Sequence, residues 1–282
     1  MKALFCFVDD AQFELDNFVE NAAPAFGRAE FVCARTFAEA AEAIGSRVPV
    51  CFLLDILGGD SDFKPQLPTP QEMVKMLGKQ PGVERLYAGV EKPTSAEANL
   101  LLRRVYAYVD RVQMAFRRAA GMMGQGRHYG LDNLAAAREA YPWAAALGYS
   151  RKALYADGVA MSMAGADGLL QKPQGEDDEA IALATRQLAP ALARMVYGMV
   201  EGRLLRVAAP LALELQNDPD KDMAALGRAM SRAVLSLLRG NEAGRMASGR
   251  GLEETLLAIK ADGQAARTAV ALASWLLSER SA

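Results

Sequence analysis

The sequence predicts an α/β fold in which a doubly wound, parallel, five-stranded sheet is interrupted by a helical insertion and followed by an all-helical C-terminal region. Three observations predict it. Short apolar runs alternate with helical patterns over residues 3–54 and again over 131–171. The run VPVCFLL (48–54) is apolar throughout, as expected of a parallel strand covered on both faces. Beyond Gly175 the apolar spacing is helical to the end of the chain.

Taken in order, ALFCFV (3–8) is a strand that ends at Asp9-Asp10, and Phe13, Phe18 and Val19 then follow at helical spacing over 12–22. EFVCA (30–34) is the second strand, and Thr36 is placed to cap the alanine-rich helix after it. The third strand runs directly into Asp55. GGDSDFKPQLPTP (58–70), with Pro65, Pro68 and Pro70, reads as a loop before a helix near 71–78. A longer helix over 95–120 carries the apolar stripe Leu101, Leu102, Val105, Val109, Val112 and Phe116. Arg103, Arg104, Arg111, Arg117 and Arg118 lie off that stripe. After the glycine-rich GMMGQGRHYG (121–130) the alternation resumes. A helix at 131–142 leads to a strand ending at Ser150, and a helix at 153–164 leads to the short strand that meets Lys172-Pro173. Leu192, Met195, Val196, Met199, Val200, Leu204, Val207, Leu211 and Leu215 form a long amphipathic series, a core face or a dimer seam, with Pro190 and Pro210 as expected boundaries or kinks. NDPDKD (217–222) is a turn, and two further helices are expected to end near Ser281, with RGNEAGRMASGRG as a flexible basic loop.

Bulk properties exclude several functions. Half of the 282 residues are hydrophobic and the formal net charge is −2, so no global attraction to nucleic acid or anionic membrane is expected. The apolar run at the start is too short for a signal peptide, and no window approaches the ~18 apolar residues of a spanning helix. Cys6, Cys33 and Cys51 lie in apolar runs without metal spacing and read as buried thiols of a reducing compartment. A cytoplasmic location is expected.

Parallel strands bring their C-terminal ends to one edge of a sheet, where ligands of such folds collect. Here that edge would gather Asp9, Asp10, Asp55, Ser150 and Lys172. Three converging carboxylates call for a hard cation, and Mg²⁺ accepts carboxylates together with phosphate oxygens. A hydroxyl and an ammonium opposite would suit a phosphorylated aspartate. Residues FVDD (7–10), CFLLD (51–55), AREAYPWAAALGYS (137–150) and AGADGLLQKP (164–173) resemble the receiver domain of two-component response regulators, a flavodoxin-like fold. The resemblance implies that Asp9, Asp10 and Asp55, with the backbone carbonyl of Leu57, hold Mg²⁺. It further implies that Asp55 is phosphorylated by a histidine kinase or phosphotransfer protein, that Ser150 and Lys172 stabilise the modified state, and that the Lys172–Pro173 bond is cis.

On this reading residues 1–59 and 129–185 form the receiver, 60–128 a helical insertion, and 186–282 an all-helical output or dimerisation region. The stretch between Asp55 and Ser150 far exceeds the ~30 residues that one helix, one strand and their loops require, which is what marks the insertion. Two departures stand out: Leu169 occupies the position of a common switching aromatic, and Arg151 follows Ser150 where a small residue is usual and would screen the phosphoryl group. LYAGVEKPTSAE (86–97) imitates a final strand with its Lys92-Pro93, but too little chain separates it from Asp55. His128, the single histidine, reads as a solvated loop residue, and the absence of histidine from 174–282 excludes a phosphotransfer bundle there.

The expected output is contact with a downstream protein or a homodimer, and no enzymatic activity. Two alternatives are a DNA-binding transcriptional regulator acting through its C-terminal helices and a pseudo-receiver scaffold that is never phosphorylated. Acidic and basic residues nearly balance after residue 174, so nucleic acid is not the expected partner.

Overall fold

The computed structural model describes residues 2–59, 66–78, 82–91, 94–240, 242–259 and 263–278. Pro65, Lys92, Pro93 and Ser281 lie outside the described residues. Five parallel strands, β1 (Leu4–Val8), β2 (Glu30–Ala34), β3 (Pro49–Leu54), β4 (Ala145–Ser150) and β5 (Gly168–Gln171), form one sheet in the order β2-β1-β3-β4-β5. β1, β3 and β4 are buried along their whole length, which is why they read as unbroken apolar runs. Helices α1 (Gln12–Asn17), α2 (Phe37–Ile44), α6 (His128–Ala140) and α7 (Tyr155–Met163) connect them. α1 continues as a π-helical turn over Phe18–Ala22 and a 3₁₀ turn over Ala23–Phe26. Thr36 caps α2 as expected, accepting from the Glu39 amide at 3.2 Å.

The chain divides into two compact units, residues 1–56 with 128–282, and residues 57–127. In the first, α8 (Asp178–Gln216), α9 (Lys221–Arg239), α10 (Glu242–Ile259) and α11 (Gly263–Leu277) join the sheet in a shared core. Tyr197 of α8 and Trp275 of α11 have ring centroids 5.3 Å apart, and Trp275 lies 6.3 Å from Phe5 of β1. Buried polar contacts fix α8 further: Asn17 donates to the Thr185 hydroxyl at 3.0 Å, and Arg186 donates to Asn21 at 2.8 Å. At the start of β5 the buried carboxylate of Asp167 takes Arg206 at 3.1 Å, with Arg138 also on it and Arg203 at 3.7 Å.

Three local expectations are corrected, and the core reading of the long stripe, left open beside a dimer seam, holds for its buried residues. Pro190 and Pro210 lie inside α8, which runs through both without ending. Val196, Val200 and Leu204 of the long stripe are core, because the chain's own helices cover them. The stretch expected as a flexible basic loop is largely α10, so three helices rather than two follow the turn at 217–220. No cis peptide occurs among the described residues, so Lys172–Pro173 is trans.

The second unit contains α3 (Pro70–Leu77), α4 (Val83–Tyr87) and α5 (Ser95–Met122). Thr69 and Glu72 form a capping box at the start of α3, and Arg104 of α5 donates to the Leu86 carbonyl at 2.9 Å. Gly58 and Gly126 pair across an antiparallel bridge that closes the ends of this unit.

Candidate functional site

Asp9 and Asp55 sit one step beyond the apolar body of their strands, Ser150 ends β4 and Lys172 follows β5, and a continuation of the sheet ladder holds this edge. The Asp9 amide donates to Ala34 at 3.0 Å, the Asp55 amide to Val8 at 2.9 Å, and the Lys172 amide to Ser150 at 3.1 Å. Adjacent strands in register therefore deliver the side chains of Asp9, Asp55, Ser150 and Lys172 to one edge. Asp10 joins them at the first turn of the loop, and the carboxylates of Asp9, Asp10 and Asp55 come within 4.8 Å of one another. This triad could hold a metal ion. Leu57, two positions beyond Asp55, is the first residue of the second unit.

Lys172 is 4 % exposed, and its ammonium donates to Asp9 and, at 3.1 Å, to Asp55. The rings of Phe7 and Tyr149 lie 5.4 and 5.7 Å from Nζ and wall it in. Burial by itself would favour a neutral amine. The carboxylates of Asp55, Asp9 and Glu14 outweigh it and hold the pKa above the ordinary lysine value, so the side chain stays charged. Asp9 shows the opposite balance. Burial raises its carboxyl, Lys172 counteracts, the neighbouring Asp55 adds to the rise, and the result is a pKa of about 7.

Ser150 is 4 % exposed, and among the described residues its hydroxyl has no hydrogen-bond partner. An unpaired buried hydroxyl costs about 1–3 kcal/mol unless something meets it. It ends β4 at the same edge of the sheet as Asp9, Asp55 and Lys172, where a group rich in oxygen acceptors could meet it. Next to it, Ile56, Leu154, Tyr155, Val159, Leu169 and Leu170 line a groove of about 550 Å³ between α7 and β5.

Three participants were not legible as such in the sequence. Tyr129 of α6 donates its hydroxyl to the Arg35 carbonyl. Gly130 lets α6 approach the site, since a Cβ there would lie 2.7 Å from the Asp55 carbonyl oxygen; the glycine-rich 121–130 was the only signal. Glu14, on α1, reaches within 3.9 Å of the Lys172 ammonium and pairs with Arg151. Arg151, the residue after Ser150, also donates to the Pro173 carbonyl at 2.6 Å. His128 is exposed at the first residue of α6.

Strand order and the polar edge decide the architecture. The fold is a flavodoxin-like, doubly wound parallel sheet with added helices. No protein-family model matches the sequence, and no curated protein matches it either. Solved structures similar to the chain include a CheY-like response regulator receiver domain protein from Methanospirillum hungatei (14 % identity, 72 % of this chain and 99 % of that one, TM-score 0.37). A response regulator receiver domain protein from Clostridium thermocellum is 12 % identical over 69 % of this chain and 98 % of that one, with a TM-score of 0.32. A response regulator protein from Burkholderia pseudomallei, solved with a phosphorylated aspartic acid, a calcium ion and citrate, is 14 % identical. It covers 93 % of this chain and 100 % of its own, with a TM-score of 0.33. Among the described residues no helix is long and apolar enough to cross a membrane.

Proposed function

We propose that the protein is a two-component response regulator whose Asp55 accepts a phosphoryl group from a histidine kinase or phosphotransfer protein. The observation that carries the proposal is a buried ammonium (Lys172) bonded to Asp55 beside two further carboxylates, with the buried hydroxyl of Ser150, unpartnered among the described residues, at the end of the neighbouring strand. A carboxylate oxygen of Asp55 forms the new bond to phosphorus as the donor's bond to phosphorus breaks. Lys172 and Ser150 then donate to the phosphoryl oxygens, which replaces the ion pairs that Lys172 makes with Asp9 and Asp55. Asp9, Asp10 and Asp55 would hold Mg²⁺, whose charge offsets that of the carboxylates and the incoming phosphoryl group. The consequence of the modification is protein contact, with a downstream partner or a second copy, through helical surfaces.

Acetyl phosphate with Mg²⁺ tests this directly. The intact mass should rise by one phosphoryl group, peptide mapping should place it on Asp55, and Asp55→Asn should abolish it. A mass that stays unchanged with every donor tried contradicts the reading.

A further inference from the structure

We infer that Arg151 is a positioning residue: by engaging Glu14 it keeps the Lys172 ammonium on Asp55 and Asp9. The inference deepens the phosphoacceptor reading and takes its functional meaning from it.

Lys172 stands among three carboxylates. Its Nζ bonds to Asp9 and to Asp55 (3.1 Å), and Glu14 is only 3.9 Å away. The Coulomb energies at 3.1 and 3.9 Å differ modestly, so distance alone does not decide which acid an ammonium serves. What decides is which acid already has a partner. Glu14 has one. A terminal nitrogen of Arg151 pairs with one of its carboxylate oxygens, and the other terminal nitrogen lies 3.4 Å from the second oxygen. The planar guanidinium fork matches a carboxylate in this two-point manner, whereas an ammonium is a compact point charge free to turn towards any uncompensated anion.

Arg151 is itself fixed, because its Nε donates to the carbonyl of Pro173, the residue after Lys172. The Gln174 side chain in turn donates to the Arg151 carbonyl at 3.2 Å. Arg151 therefore joins the ends of β4 and β5 to α1 across the flank of the lysine. Glu14 and Arg151 are both mostly buried, at 12 % and 14 % side-chain exposure, so water screens the pair weakly. Without Arg151, Glu14 would be a shielded carboxylate whose nearest cation is Lys172. The ammonium would be drawn away from Asp55, and the phosphoryl oxygens would lose their counter-charge.

The test uses the full chain in four forms: wild type, Arg151→Ala, Glu14→Gln and the double variant. The readouts are calorimetric affinity for beryllofluoride in Mg²⁺ and the crystal structure of Arg151→Ala. Arg151→Ala should weaken beryllofluoride binding roughly tenfold, and Glu14→Gln should change it less than about threefold. The double variant should return to within about threefold of wild type, the non-additivity expected of groups that share one partner. In the Arg151→Ala structure, Nζ should bond to Glu14 and be released from Asp55. A double variant as weak as Arg151→Ala, or a lysine still bonded to Asp55 in that structure, overturns the inference. If wild type binds no beryllofluoride, the phosphoacceptor reading fails, and the position of Lys172 in Arg151→Ala decides the positioning claim by itself. Should Arg151→Ala not fold, Arg151→Gln, uncharged but better filling, carries the same expectations.

Discussion

Two sets of helices have been added to the five-stranded sheet, and they differ in what they bury. The C-terminal helices α8–α11 place Val196, Val200, Leu204, Leu226, Leu272 and Trp275 in one core with β1 and β3. In the insertion, α3 and α4 bury no side chain and α5 buries only Ala115, Ala119 and Ala120. Its larger apolar groups, Leu102 at 65 % and Tyr106 at 73 % exposed among them, face solvent. Since stability follows apolar burial, the first set belongs to the folding unit of the sheet, and the second contributes surface.

The largest expected effect comes from breaking the shared core. Trp275→Ala, in α11, should cost about 3–5 kcal/mol, the range for a fully buried aromatic, and should lower the stability of the sheet and the C-terminal helices together in one denaturant transition. Two separated transitions, with the sheet unaffected, would show that the C-terminal helices fold independently. Lys172→Ala should be comparably severe at neutral pH. It leaves Asp9 and Asp55 buried without their cation, a loss of about 3–5 kcal/mol that added Mg²⁺ should partly restore.

The acidic edge makes an intermediate prediction. Asp9 must lose its proton to serve as a metal ligand, and its pKa lies near 7. Mg²⁺ affinity should therefore be constant above pH ~8 and fall by about tenfold per unit below 7, for one displaced proton. Titrations across that range that show a flat affinity contradict the placement of Asp9 in the ligand set. The linkage has a second sign to check. A carboxyl raised from ~3.9 in the unfolded chain to about 7 in the fold binds more protons when folded, so its contribution makes the metal-free protein less stable as the pH climbs through that window.

Ser150→Ala separates structure from function. The hydroxyl has no partner among the described residues, so its removal should leave stability unchanged or raise it by about 1 kcal/mol, while phosphoryl-analogue binding weakens. A destabilised Ser150→Ala would mean that the hydroxyl is already engaged. The smallest effect belongs to the insertion, where Leu102→Ser on exposed α5 should stay within about 0.5 kcal/mol in the same denaturation assay.

The polar edge could be read from sequence because β1, β3 and β4 are short apolar runs whose first polar residue is the candidate site residue: Val8 to Asp9, Leu54 to Asp55, Tyr149 to Ser150. Sequence neighbours carry that signal, and parallel pairing does the rest. Contacts between distant positions do not announce themselves. Glu14 and Arg151 are 137 residues apart, and nothing local in either segment marks them as partners. Local propensity also misled at α10, where Gly244, Gly249 and Gly251 look like loop residues. Helix packing overrides that preference: at Gly249 a Cβ would lie 3.0 Å from Leu276 and Leu277, so the glycine serves close contact with α11.

The most direct measurement is a crystal structure of the protein grown with Mg²⁺ and beryllofluoride. The beryllium should be bonded to an Asp55 oxygen, with its fluorines accepting from Ser150 Oγ and Lys172 Nζ and the metal on Asp9, Asp10 and Asp55. A metal ion seated elsewhere, or an analogue that ignores Asp55 while Lys172 keeps its ion pairs with Asp9 and Asp55, would contradict the phosphoacceptor reading.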